Sequence, residues 1–198
     1  MGSVITDEGF KLEILSRIAQ TTTALARLKP VWNDRSIFLS SKIRLMRSLV
    51  TSIFLHACEP WTFKAELQRR IQAMEMRCYR KIRRISYKGH VMNWEVRAKI
   101  QQVIGPHEDL LTTVKRRKLQ WCGNVSRPSG LAKIILRGTV KGGRRQGRQR
   151  KRWEVNIREW TGLEFAKSKR TVENREKRRK LVVKLSVVPQ RPWRLRNR

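Results

Sequence analysis

Between Lys64 and Ile85 the apolar residues Leu67, Ile71, Met74, Cys78, Ile82 and Ile85 recur every three or four positions. Arg69, Arg70, Arg77, Arg80, Lys81, Arg83 and Arg84 crowd the places between them. That period is the period of an α-helix, with one apolar stripe turned inward and a dense row of positive charge on the remaining circumference. The same arithmetic applies elsewhere. From Lys11 to Leu28, Leu12, Leu15, Ala19, Thr22 and Ala26 repeat at helical spacing, and Pro30 is expected to stop the segment. Ser40 is placed to cap a second helix carrying Ile43, Met46, Leu49, Val50, Ile53 and Phe54, apolar over more than half its circumference and ended by Pro60.

Asn93 is placed to cap a short helix closed by Gly105-Pro106, and a further helix runs from His107 to about Val125 with Glu108 and Asp109 in its first turn. Negative charge there suits the helix dipole. Trp153, Ile157 and Trp160 share one helical face before a break at Thr161-Gly162, and a last charged helix is expected from about Leu163 to Leu185. No segment alternates in the manner of a strand, so the expected class is all-α: a helical bundle followed by a basic, partly flexible helical region.

Charge decides the class of partner. Lysine and arginine number 47 against 15 aspartates and glutamates, a formal charge of +32 on 198 residues. Such a balance excludes most small-molecule enzymes and points to a polyanion, nucleic acid first. Seven tryptophans and a 39% hydrophobic share supply a core, so wholesale disorder is not expected. The longest uncharged run, Ser48 to Cys58, has 11 residues, far short of the ~20 that cross a bilayer. Three isolated cysteines and three histidines show no zinc-ligand spacing. Buried thiols in a reducing compartment, nuclear or cytoplasmic, are expected, with no metal, no membrane and no secretion.

Three groups of cations are the candidate nucleic-acid contacts. Gly138 to Arg152 is a glycine-rich basic loop in which Arg144, Arg145, Arg148, Arg150, Lys151 and Arg152 offer donors and the glycines allow close backbone approach to phosphates. Its plain alternative is a solvated linker or an import signal. Lys115, Arg116, Arg117 and Lys118 form a basic run inside a helix, and Arg69, Arg77, Arg80 and Arg84 line one side of the helix from Lys64. Trp32, Trp61, Trp121, Trp153 and Trp160 are expected to pack rather than stack on bases, whereas Tyr79, beside arginines, is the better stacking candidate. No carboxylates converge in the pattern that two-metal phosphoryl chemistry requires, so no catalytic residue is assigned.

Several phrases resemble one family. Gly2-Ser3-Val4-Ile5-Thr6-Asp7-Glu8-Gly9 with Glu13-Ile14-Leu15-Ser16-Arg17-Ile18-Ala19 resembles the palm-to-thumb junction of reverse transcriptases from non-LTR (LINE-type) retrotransposons. Lys42-Ile43-Arg44-Leu45 and His56-Ala57-Cys58-Glu59-Pro60-Trp61 look like the thumb helix and the signature after it. Arg116 to Arg127 and Gly147 to Ile157 are similar to two further segments in the family's order. Asn124, Gln149 and Val155 replace the family's usual His, Pro and Asp, and Pro60 interrupts its Glu-x-Trp signature.

The resemblance implies a division into a palm or primer-grip remnant (1–10), a helical thumb-like domain (11–104), a basic nucleic-acid-binding region (105–162) and a charged helix with a disordered tail (163–198). It also implies a fragment without the palm aspartates, their Mg or the endonuclease, and so without an activity of its own. The implied partner is template-primer, element RNA or target DNA, held mainly by phosphates. A free-standing basic RNA- or DNA-binding protein of ribosomal or chromatin type is the alternative built on the same charges.

Overall fold

The computed structural model describes residues 10–126 and 153–187. Helix α1 (Lys11–Arg27) is followed at once by a short α2 (Lys29–Asn33). Pro30 stands in the first turn of α2, where a missing amide hydrogen costs nothing, so it opens a helix as well as closing one. Next comes a continuous helical rod: α3 (Leu39–Leu45), a π turn (Met46–Val50) and α4 (Thr51–Leu55). Ser40 does not cap it. The rod enters from Phe38 with no side-chain cap, and Ser40 lies within its first turn. It also ends before Pro60, at His56 in extended backbone and Ala57 at φ 55°.

Helix α5 (Ala65–Ile82) begins after an extended Lys64. Its end comes three residues before the expected Ile85. The Ile85 amide donates to Arg80 O at 2.9 Å and the Arg84 amide to Lys81 O at 3.1 Å, a Schellman closure with Arg84 at φ 57° in the left-handed place that glycine usually takes. Helix α6 (Asn93–Ile104) starts from Met92, so Asn93 is its first residue rather than its cap. Gly105, at φ 75°, closes it.

Helix α7 (Leu110–Ser126) is capped by Asp109, whose Oδ1 accepts the Thr112 amide at 3.0 Å. Later come α8 (Trp153–Thr161), α9 (Phe165–Glu173) and α10 (Arg175–Val187). The single helix expected over 163–185 is therefore two. Asn174 adopts extended backbone and its Oδ1 accepts the amides of Glu176 and Lys177 at 3.0 and 3.2 Å, ending one helix and capping the next.

All regular structure among the described residues is helical, and the fold is all-α. No helix there is long and apolar enough to cross a membrane. The described residues divide into two compact units, one up to Lys118 with Trp153, the other Leu119–Ser126 with the residues from Glu154. The core of the first joins Leu25, Trp32, Ile43, Met46, Val50, Cys78, Ile82, Val96 and Ile100 from six helical segments. Two of the buried cations of this unit are paired. Arg17 Nε donates to Glu13 Oε1 at 2.8 Å, and the buried Lys42 ammonium donates to Trp32 O at 3.0 Å and to Asp34 O, answering carbonyls left over at the end of α2.

Cys58, Cys78 and Cys122 are all buried, as the lone-cysteine pattern implied. Burial pushes the Cys58 and Cys78 thiols up to about 12.

Candidate nucleic-acid interface

The stripe Leu67, Ile71, Met74, Cys78 and Ile82 fixes the rotation of α5 by going into the core. The opposite side then carries Arg69, Arg70, Arg77 and Lys81 to solvent, and Arg84 is exposed just past the helix end. Arg70 is paired with Glu66 one turn back, at 2.8 Å. From Arg69 to Arg77 the helix rises about 12 Å, on the order of three or four base-pair steps. Arg80 behaves differently from its neighbours. Its Nη2 donates to Val91 O at 2.6 Å and to Asn93 Oδ1 at 2.9 Å, tying the end of α5 to the start of α6.

The basic run on α7 is largely engaged within the first unit. Lys118 is fully buried. Its Nζ donates to Trp61 O at 2.7 Å and stands 4.8 Å from the Trp153 ring centre and 5.6 Å from that of Phe63. Trp61 meets Phe54 and Phe63 edge to face at 5.2 and 6.0 Å, and Trp153 Nε1 donates to Glu59 O at 3.1 Å. The result is an aromatic cage around a desolvated ammonium, where ring faces attract a cation by about 2 kcal/mol or more. This removes Lys118 from the surface cations.

Arg117 Nη1 donates to Leu55 O at 3.0 Å, covering a carbonyl at the C-terminal end of α4. Arg116 Nε lies 3.0 Å from Glu108 Oε2. Lys115 is half-buried, and burial lowers its ammonium below the usual lysine range against a smaller opposing pull from Asp109. The candidates Arg144, Arg145, Arg148, Arg150, Lys151 and Arg152 lie outside the described residues.

Tyr79 is buried too, so it is no stacking surface. Its hydroxyl is 3.2 Å from His107 Nε2 and 3.4 Å from Glu75 Oε1. Glu75 is the acid that the sequence did not mark. Oε1 accepts the Leu110 amide at 2.9 Å and Oε2 lies 3.5 Å from Arg97. Burial, with Asp109 nearby, raises its carboxyl to about 7. Burial also lowers His107, with Arg47 the next cause. Glu75 and Tyr79 line a cavity of about 250 Å³ with Arg47, Thr51 and Thr113.

Of the tryptophans expected to pack, Trp32 and Trp61 are fully buried and Trp121, Trp153 and Trp160 partly so. Trp94, which the sequence did not single out, is 69% exposed. Comparison of the chain with protein-family models, with curated proteins and with solved structures finds no match.

Proposed function

We propose that this chain is a nucleic-acid-binding module that grips the phosphate backbone along the outer side of α5, in the manner of the thumb and post-thumb region of a non-LTR retrotransposon reverse transcriptase. The observation that carries the proposal is the row Arg69, Arg77, Lys81 and Arg84, exposed on a helix whose other side is locked into the core. The chain has no acidic residue between Glu75 and Glu95 to neutralise that row's C-terminal half. Cations so placed act on charge and spacing rather than base identity, so contacts are to phosphates with little sequence readout. The glycine-arginine sequence Gly138 to Arg152 contributes further positive charge to the chain, and the partner is RNA, an RNA–DNA hybrid or duplex DNA.

Salt-titrated binding of the purified chain to an RNA–DNA primer-template, duplex DNA and single-stranded RNA tests this. A steep fall in affinity with salt on all three, steepest for the primer-template, is the expected outcome. Affinity indifferent to salt sinks the proposal.

A further inference from the structure

The connection from α5 to α6 combines features that phosphate gripping alone does not use. Two of its residues, Arg84 and His90, hold left-handed backbone at φ 57° and 45° without being glycine. Such strain persists only where the surroundings enforce it. Arg80 supplies part of that enforcement through its bonds to Val91 O and Asn93 Oδ1. The residue after Asn93 is Trp94, which stands two places before the fully buried Val96 and so about 200° round the helix from it. Its ring is 69% exposed and Met92 beside it in sequence is 59% exposed. Arg84, Lys88 and His90, all exposed, precede it on the same tethered connection.

Burying an indole is one of the larger gains open to a folding chain, and Trp94 forgoes it. An exposed aromatic residue preceded in the connection by two exposed cations, Arg84 and Lys88, matches one chemistry closely: a single nucleic-acid strand, whose phosphates meet the cations while an unstacked base lies on the ring. We infer that Trp94 is a stacking platform for a base of single-stranded nucleic acid, with Arg84 and Lys88 holding the adjacent phosphates. The inference rests on the nucleic-acid reading above and adds to it a contact with a base face, tolerant of base identity because every base has one. Duplex, whose bases are stacked on one another, has no free face to offer and gains nothing from Trp94.

The test uses the full chain and two labelled single strands of equal length, one of uridines and one abasic, compared by fluorescence anisotropy at one salt concentration. Trp94→Ala is expected to weaken binding to the uridine strand about tenfold and to leave the abasic strand unchanged, while Trp94→Phe retains most of the affinity. Circular dichroism melts check that each variant folds like the parent. Unchanged affinity of Trp94→Ala for uridines, with salt-dependent binding intact, overturns the platform and leaves the phosphate reading standing. Equal loss on both strands overturns it as well, since a stacking partner acts only where bases are present. Failure of the parent chain to bind either strand overturns the platform, while the phosphate reading stands or falls separately on the salt titration with primer-template and duplex.

Discussion

Helices α5 and α7 have similar lengths and a similar wealth of cations, yet they treat them in opposite ways. On α5, Arg69, Arg77 and Lys81 look outward because the buried stripe leaves them a whole side of the helix. On α7, Lys118 lies on the buried stripe itself, in step with Val114 and Cys122 four residues away on either side, and two aromatic rings and the Trp61 carbonyl complete its surroundings. Positive charge in a sequence is therefore not the same quantity as positive charge at a surface. What decides between them is whether a cation falls in phase with the apolar positions, and whether a carbonyl waits for it inside.

The largest test of this contrast is Lys118→Ala. It removes a buried cation, leaves Trp61 O without its donor and opens a cavity in the cage, so thermal or denaturant unfolding should show a loss of about 3 kcal/mol or more. An unchanged melt accompanied by weaker nucleic-acid binding would place α7 in the same class as α5. The complementary change is the triple variant Arg69→Ala, Arg77→Ala, Arg84→Ala. Stability should shift by only about 0.5 kcal/mol per site, while the slope of log affinity against log salt should flatten by about 2 to 3 for duplex DNA. A slope that does not move takes α5 out of the interface.

Glu75 joins the two helices, since it belongs to α5 and accepts the first amide of α7. Its carboxyl is raised from an ordinary value of 4.5 to about 7. Between those values the folded chain holds more protons than the unfolded one, so stability declines as pH rises from about 4.5 to about 7 and then levels off. His107 acts in the opposite sense: its lowered imidazole withdraws stability as pH falls below the ordinary histidine value of 6.5. Comparing the parent with Glu75→Gln across this range isolates the carboxyl. The decline, on the order of 3 kcal/mol, should be missing from the variant's stability–pH curve.

The smallest effect is at the end of α5. Arg84→Gly relieves the left-handed backbone and should raise stability by about 0.5–1 kcal/mol in a denaturant titration, while removing one phosphate contact from the salt slope.

Periodicity made the helices of the first unit legible, together with the outward arginines of α5, because both follow from a repeat that local sequence contains. It missed the structural uses of Arg80 and Lys118 for different reasons. The acceptor of Arg80, Val91 O, lies in an aperiodic connection. Trp61, Phe63 and Trp153, which house Lys118, are brought to it only by the fold, although its spacing from Val114 and Cys122 was a local hint that its charge obscured. Tyr79 was misplaced because neighbouring arginines in sequence project to other sides of a helix than it does. Asn174 escaped notice because one polar side chain ends a helix there without a proline or glycine to mark the place.

The three buried thiols give the molecule a built-in set of clocks. A sulfhydryl that is shielded and, for Cys58 and Cys78, held far from thiolate at neutral pH reacts with an alkylating reagent only when its surroundings open. Cys58 and Cys78 time the opening of the first unit and Cys122 that of the second. Single-cysteine versions would therefore record how often each unit opens in the native population, and how far a bound strand slows one clock without touching the other.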